Sequence, residues 1–301
     1  MPTRELLTGL LRDRWGFTGI VMADLGAIDQ LGRTTGSVME TAAVALRAGV
    51  DLSLCDDAYL QIAEAVGAGL VDEALVDRAC ARVLGVKIGL GLLDPPAPTP
   101  AFPPPRSGDD LVAASSVLLT NRDGILPAAD PGRVAVIGPN ADDLAALLGD
   151  YVPPLPDGTG TTVLEGFRDR LGPDAVDHEP GSRLTEPIPG GVDRAIAAAR
   201  AAQLVIMVLG GSSVRHFADA FADNGAVELS GGPVTATSGE GVDVAEVALP
   251  DAQRELVESV AATGRPIVAV IISGRPLGLG PVLDHCRAVL WAATRDPTAA
   301  G

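Results

Sequence analysis

Three short and almost unbroken apolar stretches do most to limit what this chain can fold into: Arg133-Val134-Ala135-Val136-Ile137-Gly138, Leu204-Val205-Ile206-Met207-Val208-Leu209-Gly210 and Pro266-Ile267-Val268-Ala269-Val270-Ile271-Ile272. A strand with one wet face alternates apolar and polar residues, so a strand without alternation must be covered on both faces. Helical stretches such as Asp193 to Ala202 and Ala252 to Thr263 fall between these runs. The expected class is therefore α/β, with a mostly parallel sheet and helices on both faces. The first two runs end in Gly138-Pro139 and Gly210-Gly211, where loops can leave the carboxyl ends of the strands. Arg287 to Ala292 reads as one more buried strand.

Residues 1–94 have a different rhythm. Ile20 to Ala23 and Val50 to Leu54 read as strands, and Val38 to Ala48, Tyr59 to Ala68 and Asp72 to Gly89 as helices. Residues 95–110 are rich in proline, which fixes φ and removes backbone donors. They predict an extended linker and a domain boundary, leaving residues 111–301 for the α/β layers.

Two acids stand out. Asp24 follows the apolar run Ile20 to Ala23, itself bounded by Gly19 and Gly26, so a buried strand delivers a carboxylate to its carboxyl end. That is where barrels and doubly wound sheets place chemistry. Glu240 lies between Gly239 and Gly241, and flanking glycines let a loop come close to a ligand or another domain.

The segment Leu6 to Ile28 resembles the nucleophile-bearing stretch of glycoside hydrolase family 3, the beta-glucosidases, beta-xylosidases and related exo-acting enzymes. The resemblance continues through Ala45 to Leu52, Val76 to Leu84, Gly89 to Pro95, and Gly239-Glu240-Gly241 with Asp243 and Leu249-Pro250. It implies that residues 1–94 are the C-terminal part of a (β/α)8 barrel, its last two βα units, and that residues 111–301 form an α/β sandwich. It also implies that Asp24 is the nucleophile and Glu240 the general acid/base. Retaining hydrolysis needs such a pair, one carboxylate to attack the anomeric carbon and one carboxyl to protonate the leaving oxygen. Arg215, after the second run, and Thr161, in a polar loop resembling one that faces the barrel in relatives, are the expected substrate-binding residues. The implied substrate is a terminal β-linked glucosyl or xylosyl unit of an oligosaccharide or an aryl or alkyl glycoside, with no cofactor and no metal. Val244 stands where the family has Arg, and Leu25 where many relatives have Trp or Tyr.

Two βα units cannot close a barrel of about 250 residues, so the sequence reads as a fragment at both ends, inactive alone. Two rival readings are a non-catalytic sugar-binding or interaction remnant and a beta-N-acetylhexosaminidase or phosphorylase of the same family. The Gly-Glu-Gly loop favours a glucosidase over the second rival.

A net charge of −17 disfavours nucleic acid and anionic lipid, which need clustered cations. No apolar run reaches the length of a membrane span. Cys55, Cys80 and Cys286 have no metal-type spacing, and Cys80 falls in an apolar helix as a core residue. His178, His216 and His285 share no ligand or triad spacing. The compartment is weakly constrained, with a leaning to the cytoplasm.

Overall fold

The computed structural model describes residues 3–94, 114–150, 152, 159–214, 217–221, 227–229, 236–239 and 242–292. The chain divides into two compact units, Met1–Pro103 with Phe217–Ser230, and Pro104–His216 with Gly231–Gly301. The expected linker, residues 95–110, and the C-terminal tail from residue 293 lie outside the described residues.

The first unit opens with a π-wound helix, Glu5–Arg14, and continues through α1 (Val38–Ala48), α2 (Asp57–Leu60), α3 (Ile62–Gly67) and α4 (Glu73–Gly89). Helix α1 keeps the span read from sequence because its ends are encoded locally. The Ser37 hydroxyl accepts the Glu40 N–H, and Gly49 takes the left-handed conformation that stops the helix. The helix expected over Tyr59 to Ala68 is instead broken at Gln61, which leaves helical geometry. The two expected strands meet at one parallel bridge, Met22 with Leu52. A carboxylate takes the Val21 N–H, as described below, so the ladder is short. Cys80 is exposed, contrary to expectation. Helix α4 buries only Ala79, and the next residue round the helix points outward.

The second unit is built on a six-stranded sheet. Its strands are β1 (Ser116–Asn121), β2 (Val134–Ile137), β3 (Val176–Glu179), β4 (Leu204–Gly210), β7 (Ile267–Ile272) and β8 (Ala288–Ala292), in the spatial order β1-β8-β7-β4-β2-β3. All neighbours are parallel except β1 against β8. Strands β5 (Phe217–Phe221) and β6 (Val227–Leu229) form a separate antiparallel pair that belongs to the first unit.

The unbroken apolar runs have the reason expected of them. Along β4, Val205, Met207 and Leu209 enter one core with α7 (Gly191–Ala201), α8 (Asp251–Ala261) and α9 (Gly280–His285). Leu204, Ile206 and Val208 enter the opposite core with α5 (Leu144–Leu148) and α6 (Val163–Leu171). The edge strands β1 and β3 escaped the sequence reading. Val176-Asp177-His178-Glu179 carries three polar residues in four, which an edge tolerates and a period search passes over.

Glycine is required where strands β2 and β4 end. A side chain at Gly138, with φ +130°, would place Cβ 2.1 Å from the Val208 carbonyl oxygen. One at Gly210, φ +141°, would sit 1.9 Å from that of Ile272. The backbones could not approach so closely with any other residue.

Candidate active site

Asp24 is positioned by charge as well as by apolar packing. Its strand runs beside Asp51: the Asp51 N–H donates to Val21 O (2.8 Å), and the Asp51 carboxylate accepts the Val21 N–H at Oδ2 (2.9 Å). That carboxylate, with its side chain only 2% exposed, holds two cations: Arg12 Nη2 at 2.5 Å and Arg82 Nη1 at 2.6 Å. Arg12 Nη1 also donates to Gly19 O (2.8 Å), and the guanidinium lies over the Phe17 ring, 5.4 Å from its centre. A buried carboxylate without partners would be strongly unfavourable; here two guanidiniums and a backbone donor satisfy it. The opening helix, the Asp24 strand, the next strand and α4 are thereby tied at one point. Tyr59 reinforces the same strand by donating its hydroxyl to Val50 O (2.7 Å). Burial, and then the nearby charges of Asp51 and Asp56, push its pKa above the ordinary phenol value, so it remains a donor.

The strand ends in a turn. Asp24 Oδ1 accepts the Leu25 N–H (2.9 Å), Asp24 O accepts the Ala27 N–H (3.0 Å), and the Gly26 N–H donates to Leu54 O (3.0 Å). Two further acids then clasp this turn to the neighbouring loop. Asp56 Oδ1 accepts the N–H groups of Ile28 (2.8 Å) and Asp29 (3.0 Å), while the Asp29 carboxylate accepts those of Asp57 and Ala58, both at 2.9 Å. The Ser53 hydroxyl holds the other oxygen of Asp56 at 2.9 Å. The result is an exposed Asp24 carboxylate on a turn fixed from both sides.

In the second unit, a cleft of about 290 Å³ opens at the carboxyl ends of β4 and β7, lined among others by Gly210, Gly211, Thr237, Asp243, Glu246 and Arg275. The segment entering the Gly-Glu-Gly motif is pinned there. The Thr237 N–H donates to Ser212 O (2.7 Å), the Ser212 N–H to Thr237 Oγ1 (3.0 Å), and Arg275 Nη2 to Thr237 O (2.8 Å). Gly239, with φ +99°, packs so that a Cβ would meet that of Ser213 at 3.0 Å. The Val242 N–H returns to Gly239 O (3.2 Å). Beyond the motif, Leu249 sinks into the core and Pro250 precedes α8.

Glu240 and Arg215 lie outside the described residues. Thr161 is exposed, immediately before the Thr162 cap of α6, and does not line the cleft. Sequence reasoning found Asp24 but assigned no role to Arg12, Asp29, Asp51, Asp56 or Arg82. A signal for Asp51 was present: an acid inside the apolar run Val50-Asp51-Leu52 must find partners if the run is buried.

The comparisons with known proteins agree on one group. The model of the glycosyl hydrolase family 3 C-terminal domain matches residues 116–298, and that of the N-terminal domain matches residues 2–86. The chain is 29% identical over 328 residues to a periplasmic beta-glucosidase of Salmonella typhimurium, covering 96% of this chain and 40% of that protein. It is 28% identical over 316 residues to a beta-xylosidase of Formosa agariphila, covering 95% of this chain and again 40% of the relative. The chain thus spans about two fifths of the curated relatives it matches. Among solved structures, a beta-glucosidase from Erythrobacter marinus superposes with a TM-score of 0.75 at 28% identity, covering 99% of this chain and 42% of that one. A beta-glucosidase from Listeria innocua in complex with gluconolactone shares the fold at a TM-score of 0.76 and 24% identity, over 99% of this chain and 40% of that one. One relative being periplasmic, the leaning to the cytoplasm finds no support. Among the described residues no helix is long and apolar enough to cross a membrane.

Proposed function

The chain belongs to glycoside hydrolase family 3, and from that premise we propose that it supplies both catalytic carboxyl groups of a retaining, exo-acting beta-glycosidase. The substrate class is a terminal β-D-glucosyl or xylosyl unit on an oligosaccharide or an aryl or alkyl glycoside. The names of the relatives, beta-glucosidases and beta-xylosidases, support that class and favour it over the hexosaminidase and binding-remnant readings.

The observation that carries the proposal is the exposed Asp24 carboxylate on a turn held by the Asp51 network and by the Asp29 and Asp56 clasp. A nucleophile gains most from being fixed in direction before the substrate arrives. In the first step an oxygen of the ionised Asp24 bonds to the anomeric carbon while the bond to the leaving oxygen breaks, and Glu240 delivers its proton to that oxygen. In the second, water attacks the anomeric carbon, Glu240 takes a proton from the water, and the bond to Asp24 breaks with release of the sugar. The two carboxyl groups of a retaining pair stand about 5 to 5.5 Å apart.

The domain assignment belongs to the same proposal: residues 1–94 as the end of a barrel, 95–110 as linker and 111–301 as the sandwich. Because the chain spans two fifths of its relatives, hydrolysis is assigned to the chain in company with the rest of a barrel, and the chain alone is expected to show none above a no-enzyme blank. The test is hydrolysis of aryl β-glucosides and β-xylosides with the barrel completed. Asp24→Asn is expected to reduce kcat by several orders of magnitude on every substrate. Glu240→Gln is expected to spare substrates whose leaving group needs no proton, such as dinitrophenyl glycosides, and to disable the others. Full activity in Asp24→Asn, or turnover by the chain alone that Asp24→Asn abolishes, would contradict this assignment.

A further inference from the structure

We propose that Arg275 is a positioning residue for the general acid/base, acting through the backbone of Thr237; this rests on Glu240 being that acid/base. The Gly-Glu-Gly motif belongs to a segment, Thr237 to Leu249, whose two ends are held by one short stretch after β7. At the entry, Arg275 Nη2 donates to Thr237 O (2.8 Å). At the exit, Ala248 forms a parallel bridge with Gly278, in which the Gly278 N–H donates to Val247 O (2.7 Å) and the Leu249 N–H to Gly278 O (3.4 Å). A Cβ at Gly278 would meet Val247 O at 3.0 Å, so the two backbones lie close together.

Both partners of the entry bond are aimed by their own surroundings. The hydroxyl of Ser273, a residue only 5% exposed, donates to Arg275 O (2.7 Å) and accepts the Arg275 N–H (3.3 Å), closing a turn at the carboxyl end of β7. Thr237 is fixed to the end of β4 by the two bonds it shares with Ser212. A Cβ at Gly211 would stand 2.3 Å from Thr237 Oγ1, so that contact too is tight. The guanidinium thus holds a carbonyl three residues before Glu240, where β4 and β7 adjoin.

A merely solvated arginine would behave differently. Among the described residues Arg275 forms no ion pair, although Asp243 and Glu246 line the same cleft. Its described side-chain bond goes to a neutral carbonyl, and a charged donor makes such a bond stronger than a neutral one does. Direction has to come from such a tether, because glycines flank Glu240 in the sequence and glycine has little conformational preference of its own. A general acid acts through its distance and direction to the leaving oxygen, and a displacement of about 1 Å can cost a hundredfold.

The test has one arm on the chain itself and one on the protein with its barrel completed. In the chain, Arg275→Ala is expected to speed amide exchange at Thr237 about tenfold or more and to leave Leu209 in β4 unchanged. In the completed protein, the same variant is expected to lower kcat/KM about a hundredfold for an alkyl β-glucoside, whose leaving group needs a proton, and less than about threefold for a dinitrophenyl β-glucoside. Arg275→Lys, which keeps a charged donor, is expected to recover about tenfold of the larger loss. Equal losses on the two glycosides, unchanged exchange at Thr237, or a rise in KM alone that is the same on both would each overturn the proposal. Should Arg275→Ala unfold the second unit, Arg275→Lys is read on the same two glycosides; a difference between them supports the proposal and its absence overturns it. Glu240→Gln, run beside these variants, separates the two assignments. A leaving-group difference in Glu240→Gln without one in Arg275→Ala removes the role of Arg275 alone, whereas none in Glu240→Gln removes the acid/base assignment and the proposal with it.

Discussion

At the residue scale, the acid that matters most for folding the first unit is not the acid proposed for chemistry. Asp51 is buried between Arg12 and Arg82 and also holds the Val21 N–H, so removing its carboxylate strands two guanidiniums and a backbone donor at once. Breaking a buried pair in this way typically costs about 3–5 kcal/mol. Asp51→Ala is therefore expected to unfold the first unit at markedly lower urea, read as amide exchange at Ala42 to Leu46. Asp24→Asn, at an exposed position, should shift the same midpoint by no more than about 0.5 kcal/mol. Equal effects of the two substitutions would remove Asp51 from its role as the anchor of the strand. Asp24 was legible in the sequence because an acid closing an apolar run between glycines is a local pattern. Its anchors were not, because Arg12, Asp51 and Arg82 are 39 and 31 residues apart along the chain and meet only through the fold.

At the scale of elements, the sheet of the second unit joins its helices through one buried amide as well as through apolar area. Gln253 of α8 is fully buried; its Oε1 accepts the Gly210 N–H (2.9 Å), and its Nε2 donates to Gly210 O and Leu184 O, both at 2.8 Å. It thereby fixes the end of β4, where the cleft begins. Gln253→Leu keeps the volume but leaves three backbone groups unpaired, an expected loss of about 2–4 kcal/mol in urea denaturation of the second unit. A loss below about 0.5 kcal/mol would show that water replaces the amide at no cost. The central strands and the helices between them were read correctly because burial on both faces writes itself as an unbroken apolar run. The edges β1 and β3 were not, since an edge position relaxes the very composition that a run detects.

At the scale of the whole molecule, stability depends on pH through groups that folding keeps neutral. Cys286, buried between α9 and β8, has its thiol pKa pushed by burial from 9.0 to about 12, against a smaller lowering by the Arg122 charge. The unfolded chain therefore gives up this proton first, so the contribution is fully present below pH 9 and is lost as pH rises towards 12. The expected loss is on the order of a few kcal/mol across that window, read from the urea midpoint of Trp291 fluorescence at successive pH values. Cys286→Ala should flatten the slope, and a slope unchanged in that variant would assign the alkaline loss to other groups. The two units also differ in how much they bury. The second has extended cores on both faces of its sheet, whereas the first relies on alanine-rich contacts and one ionic knot.

By itself the sequence determined the class of fold, the cores on both faces of the sheet, the span of helix α1, the position of Asp24 and the family. All of these are written in short-range order: apolar period, caps, glycines and motif spacing along a few residues. Only the tertiary structure decided that Asp51 ties four segments together, that Asp29 and Asp56 cap each other's loops, and that Cys80 faces outward. The physical reason is that paired charge and uncovered surface depend on which distant segments come within a few ångströms of one another. No local pattern encodes that distance.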